Sequence, residues 1–521
     1  MALLLGYRFL YLGGPLDEPS WRQAWCAYQA RQLARESPPE LMRVKINFRG
    51  TNDVSFWNFP VYEGVVGLAY KATGGEERLW LARIITLLMY LGATWCLGRI
   101  VSLLLGARTA WYTALVYMIL PLGIFYSRAV HYDIGAIFLS HAFFLAALSY
   151  CERPRMPLYI TAALLGVLAF AVKPPYAAYF AIPIGFYALT APDERRWRTL
   201  IEVGTMFLFA LIATWALHEY RLSIESGHAS KLLYPVPYTK GYARSWFLGH
   251  WGQRFSLAAW TGVARDVVKF VLTPVGALLA AYAALFGFQP FKRRGWFVLY
   301  GWLAGMAGYI LVMFRMLSSV GHTYYLLPLL APAAVAIGSF LASEEKSMAR
   351  EAKGWWRNPL RVFLVMAVLA AGSFHALRRG KFFVVDWQRV QAGAAIKQWT
   401  NPSDLVVSST LGRSTGSVDP RILYFGDRRG WVIAYKDLTQ EALRTYRKAG
   451  ASFVALLVTP EYSDNPGEYS ILLDSSCRVI KLLNPSGVSI GSLLLFRLAD
   501  EEPASQGESF VGEYQHMGAL P

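Results

Sequence analysis

The sequence predicts an all-α polytopic membrane protein with about eleven transmembrane helices, amphipathic interfacial helices and a C-terminal soluble α/β domain. Composition is the first observation behind this prediction. Of the 521 residues, 55% are hydrophobic and only 16% are charged, against about 25% in an average soluble domain. In addition, apolar stretches long enough to cross a bilayer recur up to residue 377, and basic residues cluster in the short gaps between them, as is typical of membrane proteins.

Ten apolar stretches are predicted to be spanning helices, for which about 17–25 residues are expected. They lie at 79–98, 109–126, 132–151, 157–172, 174–191, 199–217, 266–288, 296–314, 322–342 and 360–377. The first run, MALLLGYRFLYL, is short and contains Arg8. Either Arg8 reaches an interface, or the helix begins upstream of this sequence. The second interpretation is favoured and brings the number of helices to eleven.

The short connections between these stretches predict the orientation. Every second connection is rich in Lys and Arg, with fifteen basic residues in all, whereas the alternate short gaps contain only Arg128, Lys173 and Arg315. Because cytoplasmic loops are enriched in Lys and Arg, the first set is predicted to face the cytoplasm. The long connections 15–78 and 218–265, and the chain after 378, then face outward.

Both long outer loops are expected to be structured. The segments SWRQAWCAYQARQLARE and VSFWNFPVYEGVVGLAY are amphipathic at near-helical spacing. Such helices either lie in the membrane interface or pack on neighbouring protein, and the sequence leaves both open.

The predicted domains are a transmembrane module at 1–378, an extracytoplasmic α/β domain at 379–498 and a flexible tail at 499–521. In the α/β domain the short apolar runs DLVVSS, RILYFG, WVIAY, SFVALLV and SLLLFRL alternate with the helical patterns WQRVQAGAAIKQW and LTQEALRTYRKAG. Gly450 is a plausible cap of the second helix. The tail is acidic and contains Gly and Ser, so it is expected to fray.

Charge and cysteine content exclude two classes of protein. The formal net charge of +17 is compatible with nucleic-acid binding, but the sequence has no Lys/Arg-rich tract with interleaved aromatic residues, so no nucleic-acid partner is expected. The four cysteines show no CxxC or metal-ligand spacing. Neither a disulfide framework nor a cysteine metal site is therefore predicted.

Ionisable and aromatic residues gather at the predicted outer ends of the helices. They are Asp17, Glu18, Arg128, Asp133, Lys173, Arg315, His322, Tyr324 and Tyr325. Ionisable residues at membrane depth are costly and usually face a cavity or a partner. Carboxylates and several cations on one side of a helical bundle suit an anionic ligand with a neutral reacting group.

Each of these residues also has a structural interpretation. The acidic pair at 17–18 could cap the following helix, and Asp133 could cap its own helix or pair with Arg128. Lys173 could snorkel at a helix end, and His322 could be an ordinary interfacial histidine. The functional interpretation depends on all of them lying on one face.

Six motifs follow one another in a defined order. They are LDEPSWRQAW, WNFPVYEGVVGLAY, RLWLARIITLLMYL, SRAVHYDIGAIF, VKPPY and HTYYLLPLLAP. In this order they resemble the motifs of the GT-C membrane glycosyltransferases, in particular the branch of bacterial protein O-mannosyltransferases and lipid A aminoarabinose transferases. The resemblance covers about 1–345 well and the remainder of the chain loosely.

The resemblance implies an inverting glycosyltransferase of the cytoplasmic membrane. A sugar would pass from a polyprenyl-phosphate donor to a hydroxyl of a lipid, glycan or protein acceptor on the extracytoplasmic face. By the family's pattern Asp17 is the expected general base, with Glu18 as the alternative and Asp133 holding the sugar or supporting the base. Because negative charge grows on the leaving phosphate, cations should surround it. The expected donor phosphate-binding residues are Lys173, Arg128, Arg315, His322, Tyr324 and Tyr325.

The sequence departs from the family pattern at one position. Some relatives carry Lys-Pro-Pro in the interfacial segment, whereas this chain has Asn58-Phe59-Pro60. Arg43, Lys45 or Arg49 of the same loop are the expected replacements for that lysine. Some GT-C members need a divalent ion, but no DxD cluster is present, so no metal or other cofactor is expected.

Two other classes of protein compete with an enzyme. A transporter or flippase for a lipid-linked glycan would have helices broken at mid-bilayer and inverted repeats, whereas the chain has few mid-span charges and no evident repeat. A non-enzymatic membrane scaffold that displays the α/β domain would tolerate replacement of Asp17 and Lys173.

Overall fold

The computed structural model describes residues 6, 8–9, 12–50, 58–226, 248–283, 294–318, 322–350, 357–412, 419–463, 477–498 and 515–516. Most of these residues are helical, and a small mixed sheet lies towards the C-terminus. Parts of the predicted first helix, of the loop 218–265 and of the tail 499–521 lie outside the described residues. Arg8 is described and is buried, donating from Nε to Ser127 Oγ at 2.7 Å, so its guanidinium does not reach an interface.

The helical part of the chain is an apolar bundle. Its α-helices are α1 (Trp21–Arg35), α2 (Val61–Ala72), α3 (Leu79–Leu105), α4 (Ala107–Ile119), α5 (Pro121–Tyr126), α6 (Tyr132–Glu152), α7 (Met156–Val172), α8 (Pro174–Ala178), α9 (Ala181–Leu189), α10 (Asp193–Ser226), α11 (Trp251–Arg254), α12 (Leu257–Asp266), α13 (Pro274–Tyr282), α14 (Arg294–Val312), α15 (Phe314–Ser318), α16 (Leu330–Arg350) and α17 (Arg357–Arg379). Each of the ten predicted spans coincides with one or two of these elements.

Five helical segments of the described chain are long and apolar enough to cross a bilayer. They are Leu79–Leu105, Tyr132–Glu152, Asp193–Arg221, Thr323–Ser343 and Val362–Arg379. The shorter apolar helices Met156–Val172 and Phe297–Val312 join them. The count of eleven crossings stays a prediction.

Four predicted spans are broken rather than continuous. The breaks divide α4 from α5, α8 from α9, the π-helical turn Val267–Leu272 from α13, and the 3-10 turn Thr323–Leu329 from α16. Pro121 and Pro274 each begin the second helix of their pair, because proline lacks the N–H donor and its ring clashes with the preceding turn. Apolarity alone could not reveal these breaks.

Helix α10 is longer than predicted. It runs to Ser226, beyond the apolar stretch 199–217 and into the predicted outer loop 218–265. Hydropathy marks where apolar side chains end, but the helical backbone continues through polar residues such as His218 and Arg221, which are compatible with a helix. The extension brings both side chains to the cavity described below.

The core of the bundle lies where α6 packs against α3 and α7, and where α4 packs against α16. At the second contact a Cβ on Gly338 would lie 2.6 Å from the backbone nitrogen of Thr113. Only glycine therefore permits α16 to approach α4 this closely.

Helix α1 packs on neighbouring protein. Of the two arrangements left open by its sequence, membrane interface or protein contact, the structure has the second. Most of its residues are buried between α2 and the C-terminal part of the chain. The Trp25 ring lies 5.1 Å from that of Phe48, and both belong to one apolar cluster with Val406 and Leu457.

The C-terminal part of the chain forms one mixed sheet flanked by helices. Its strands are β1 (Arg49–Gly50), β2 (Leu405–Leu411), β3 (Arg429–Val432), β4 (Ala451–Val458), β5 (Cys477–Leu483), β6 (Ser489–Arg497) and β7 (Gln515–His516), in the order β1-β3-β2-β4-β6-β5-β7. The helices are α18 (Trp387–Trp399), α19 (Arg421–Phe425), α20 (Gln440–Lys448) and α21 (Pro460–Ser463). Strand β1 comes from the first outer loop and pairs antiparallel with β3. The domain boundaries at 378 and 498 stay predictions.

One predicted strand of this sheet is wrong. The run RILYFG forms the short helix α19 and not a strand. Strands β2 and β3 are parallel neighbours, so the chain between them must cross back along the sheet, and α19 lies in that connection. Gly450 follows α20 with φ of +94°, which confirms the predicted cap.

Phe48→Ala should loosen the outer loop from the C-terminal sheet. Phe48 is 2% exposed, and removal of a buried phenyl ring costs about 3–5 kcal/mol. We expect a lower Tm and faster proteolysis of the C-terminal region in detergent or nanodiscs. Leu41→Ala is the control, because Leu41 belongs to the same loop and is 36% exposed. Equal melting of the two variants would contradict this packing.

Candidate functional site

The acid loop, residues 12–20, is held against the helical bundle by Arg83 of α3. Arg83 donates from Nη1 to the carbonyl oxygens of Leu12 at 2.6 Å and Gly14 at 2.8 Å, and from Nη2 to that of Pro15 at 2.8 Å. A planar guanidinium can satisfy several carbonyls at once. The early arginine of the RLWLARIITLLMYL motif thus fixes the backbone that carries Asp17.

Asp17 is buried and lies among polar partners. Its carboxylate pairs with the guanidinium of Arg128, and Arg83 Nη2 lies 4.0 Å from its Oδ1. Gln23 of α1 donates to the Asp17 carbonyl at 2.6 Å, while the amide of Val130 donates to Gln23 Oε1 at 2.9 Å. Gln23, which is not among the predicted site residues, therefore connects the acid loop with the segment before α6.

Arg128 retains donors beyond its contact with Asp17. It is 1% exposed, and its Nε and Nη1 atoms have no hydrogen-bond partner among the described residues. Buried polar groups normally find partners. The arginine therefore presents two donor nitrogens that a bound anion could satisfy beside the Asp17 carboxylate.

Glu18 points away from Asp17, towards the C-terminal part of the chain. Its Oε1 accepts from Arg421 Nη1 at 2.6 Å and from the Ser20 hydroxyl at 2.7 Å. Its Oε2 accepts from the Ser20 amide at 3.0 Å, directly before α1. The structural interpretation of the acidic pair thus fits Glu18 rather than Asp17.

Lys173 and Asp133 form a buried ion pair with Nζ and Oδ1 2.5 Å apart. None of the three structural alternatives considered for them holds. The N-cap of α6 is His131, and Asp133 lies in the first turn of the helix. Lys173 is buried and does not snorkel, and Arg128 pairs with Asp17 rather than with Asp133. His131 Nδ1 lies 3.4 Å from the second oxygen of Asp133.

Tyrosine rings surround the Lys173 ammonium group. The ring centroids lie 4.2 Å (Tyr176), 4.3 Å (Tyr325), 4.8 Å (Tyr324) and 5.5 Å (Tyr132) from Nζ. Lys173 also donates to the Tyr176 hydroxyl at 3.1 Å, which in turn donates to the Tyr324 carbonyl at 2.7 Å. Aromatic faces attract a desolvated cation, so this cage stabilises a charged lysine at the site.

Arg22 of α1 is a cation that the sequence-based prediction missed. Its guanidinium lies 4.6 Å from the ring of Trp21, 5.7 Å from that of Tyr132 and 5.9 Å from that of Tyr324. Because it alternates with apolar residues in an amphipathic pattern, the sequence placed it on the polar face of a helix. The signal that could have identified Arg22 as a site residue was its position five residues after Asp17.

An open cavity of about 490 Å³ adjoins this cluster. Much of its wall is apolar, with contributions from Phe170, Leu211, Trp215 and Met313. The cations that line it are Lys173, Arg22 and Arg221, and His218 lies beside them. Long apolar walls and clustered cations suit an amphiphilic anion.

Arg221 of the extended helix α10 lies beside Asn58, in the segment where the resemblance leads us to expect a lysine. Its Nη1 donates to the carbonyl of Asn58 at 2.5 Å, and Asn58 and Phe59 line the same cavity. By contrast, Lys45 pairs with Glu36 at 3.4 Å, and Arg49 lies in strand β1. Arg43 and Lys45 are absent from the described cavity lining. Arg221 was missed because the helix was expected to end at 217.

Three other predicted site residues, His322, Tyr325 and Arg315, differ in whether they adjoin the cavity. The His322 ring stacks on Tyr324 with centroids 5.2 Å apart, and Tyr325 lines the cavity. Arg315 lies in α15, where its side chain packs beside Gly249, and it does not line the cavity.

Glu63 of α2 is a buried carboxyl that is not among the predicted site residues. Burial raises its pKa to about 7, and the nearby Cys26, Asn58 and Arg22 side chains oppose that rise. Glu63 lies in the first turn of α2, close to Arg22 of the cavity lining.

No group of three or more His, Cys, Asp or Glu side chains that could hold a metal ion occurs among the residues that the structure describes.

Part of the chain matches a known protein family. Residues 60–218 match the family model described as dolichyl-phosphate-mannose-protein mannosyltransferase. No curated protein matches the chain significantly.

Several solved structures share the fold over nearly the whole chain. ArnT from Cupriavidus metallidurans, bound to undecaprenyl phosphate, has 13% identity and a TM-score of 0.60, with 97% of this chain and 98% of that chain covered. The archaeal oligosaccharyltransferase AglB from Archaeoglobus fulgidus, in complex with an inhibitory peptide and a dolichol-phosphate, has 11% identity and a TM-score of 0.53, with coverage of 94% and 74%. The arabinofuranosyltransferase AftD from Mycobacteria has 13% identity and a TM-score of 0.56, with coverage of 96% and 40%. The resemblance to the GT-C fold is confirmed.

Lys173→Met should destabilise the protein because it leaves the Asp133 carboxylate buried without its partner. Breaking a buried ion pair costs about 3–5 kcal/mol, so we expect a clear fall in Tm. The double variant Lys173→Met/Asp133→Asn should recover most of this loss, since no unpaired charge remains. If the double variant melts below the single variant, the pair does not carry the stability assigned to it.

Glu63→Gln should stabilise the protein at pH 8 and have little effect at pH 4. The pKa of Glu63 is raised in the folded state, so its ionisation opposes folding increasingly as pH rises from about 4.3 to about 7 and by a constant amount above that. The gain at pH 8 should be at most about 4 kcal/mol. Thermal melts at both pH values measure it, with exposed Glu40→Gln as control. A pH-independent difference between Glu63→Gln and wild type would contradict it.

Proposed function

Because the chain has the GT-C fold, we propose that it is an inverting glycosyltransferase of the cytoplasmic membrane. It transfers a sugar from a polyprenyl-phosphate donor to an acceptor hydroxyl on the extracytoplasmic face. The observation that carries this proposal is the cavity, whose lining combines apolar side chains with Lys173, Arg22 and Arg221. An isoprenoid chain and a phosphate together match these two kinds of surface.

The donor phosphate binds at the cationic end of the cavity. Lys173 takes it from within its tyrosine cage, with Tyr325 beside it, and Tyr324 and His322 hold the cage together. Arg221 replaces the lysine that some relatives carry in the interfacial segment. Arg128 directs its two remaining donors to the same phosphate or to the sugar, since charge-assisted hydrogen bonds to phosphate are strong. ArnT of known structure binds undecaprenyl phosphate, which supports a lipid phosphate as the ligand.

Asp17 acts as the general base. It takes the proton of the acceptor hydroxyl while that oxygen attacks the anomeric carbon, and the bond to the donor phosphate breaks in the same step. The anomeric centre is thereby inverted. Negative charge passes to the leaving phosphate, where fixed cations stabilise it without reorganisation. Asp133 keeps Lys173 in place, and Glu18 anchors the loop of the base.

The arrangement in the membrane belongs to the same proposal. A transmembrane module at 1–378 with eleven crossings presents the site outward, and the α/β domain at 379–498 lies on the same side. The excess of Lys and Arg in the alternate short connections supports this orientation.

Asp17→Asn should lower sugar transfer by about 10²–10⁴-fold while donor binding persists. Transfer is measured in proteoliposomes from a panel of radiolabelled polyprenyl-phosphate sugars to lipid, glycan and peptide acceptors. Asp193→Asn is the control, because the Asp193 side chain is 85% exposed at the other end of the bundle.

Three outcomes would change the proposal. Full activity of Asp17→Asn would remove Asp17 as the base. Loss of donor binding in this variant would assign Asp17 to binding instead. If the wild-type protein moved a lipid-linked glycan across the bilayer without transferring the sugar, the proposed enzyme function would be replaced by that of a flippase.

A further inference from the structure

The segment that joins the helical bundle to the C-terminal sheet runs directly along the acid loop. This linking segment comprises residues 380–386, between α17 and α18. The amide of Glu18 donates to the carbonyl of Val384 at 2.8 Å, and Asp17 forms an antiparallel bridge with Val385. Main-chain pairing makes the two segments one unit, so a shift of either one moves Asp17.

Phe383 of this segment lies against the partner of Asp17. The guanidinium carbon of Arg128 is 4.8 Å from the centroid of the Phe383 ring. Arg128 is buried and paired with Asp17. An aromatic face attracts a cation most strongly where water is excluded. Phe383 thus presents an aromatic face to the guanidinium that pairs with Asp17.

The backbone of Phe383 shows that its position is imposed by its surroundings. Its φ is +67°, the left-handed region that an aromatic residue rarely adopts. Its ring packs on Phe125 of α5 at 5.2 Å, and that of the neighbouring Phe382 packs on Phe125 at 4.7 Å. The bundle itself therefore holds the linking segment in this conformation.

A cluster of charges fastens the other side of the acid loop to the C-terminal part of the chain. Arg421 donates to Glu18 at 2.6 Å and to Asp419 at 2.7 Å, and its Nη1 is 3.3 Å from Asp386 of the linking segment. The neighbouring arginine Arg389 pairs with Asp419 at 2.8 Å. These arginines hold the pKa of Asp419 well below its usual range. Asp419 therefore remains ionised at neutral pH, and the ion pairs of the cluster keep the linking segment and the acid loop together.

We propose that Phe383 is a positioning residue that orients Arg128, and through it Asp17, for sugar transfer. The proposal rests on the transferase function proposed above. In this arrangement the C-terminal part of the chain completes the site from one side, because the segment leading into it provides the surface against which Arg128 lies. No contact of Phe383 with the substrate is required.

The test compares variants that keep or remove the aromatic face of residue 383. Phe383→Tyr keeps it, whereas Phe383→Leu and Phe383→Met keep an apolar side chain without it. We expect the leucine and methionine variants to lower kcat by about ten- to hundredfold, the cost of a small misplacement of reacting groups. The donor KM should stay near the wild-type value, and the tyrosine variant should retain most of kcat.

Two controls separate positioning from a structural role. Val384→Ala shortens a side chain of the same linking segment that is 51% exposed, and should leave kcat near wild type. In an Arg128→Lys background, Phe383→Leu should cause little further loss, because residues that act through one another are non-additive. If Phe383→Leu merely destabilised the structure, it would lower kcat by the same factor in wild type and in the Arg128→Lys background.

The outcomes distinguish this role from the proposed function. If wild type transfers sugar and the leucine, methionine and tyrosine variants are equal, Phe383 does not position Arg128. An undiminished effect of Phe383→Leu in the Arg128→Lys background would likewise exclude the positioning role. Wild type that transfers no sugar would overturn the transferase function and this role with it.

Discussion

Two buried ion pairs determine how the candidate site of this protein is built. Asp17 pairs with Arg128 across 111 positions of sequence, and Lys173 pairs with Asp133 across 40 positions. A buried charge without a partner is far more costly than the same charge in water. Each pair therefore requires that two distant segments meet, and the loops, the tyrosine cage and the linking segment are arranged around them.

The same pairs prepare the site for an anionic ligand. The cost of removing Lys173 from water is met during folding, when Asp133 and the rings of Tyr176 and Tyr325 surround it. A phosphate that approaches Lys173 then exchanges partners within a site that is already dehydrated, rather than dehydrating a solvated lysine. Arg128 offers a complementary case, since one side of its guanidinium is committed to Asp17 and its Nε and Nη1 donors are not bonded within the described chain.

The sequence predicted the helices better than the contacts between them. Apolar length is a local property, so all ten predicted spans coincide with helical elements. The residue with which a charged side chain pairs depends on how the helices pack and not on the neighbouring sequence. Asp133 is five residues from Arg128, which made that pair attractive, yet it bonds to Lys173 because α6 and α7 are neighbours in the bundle. Arg221 was missed for a related reason, since an apolar stretch ends where its side chains become polar and not where its helix ends.

The broken helices explain why so many of these groups could meet in one place. Non-helical backbone within an apolar bundle is tolerated where other protein groups satisfy it or where it lines a cavity. Helix α5 carries Tyr126 to the site, helix α8 carries Tyr176, and the 3-10 turn Thr323–Leu329 carries both Tyr324 and Tyr325.

These short elements bond to one another through the same tyrosines. The Tyr126 hydroxyl lies 2.9 Å from that of Thr323, and the Tyr176 hydroxyl donates to the Tyr324 carbonyl. Proline is present in all three elements, and it lacks the N–H group that a continuous helix requires. The short elements that interrupt the bundle are therefore also the elements that carry tyrosines to the site.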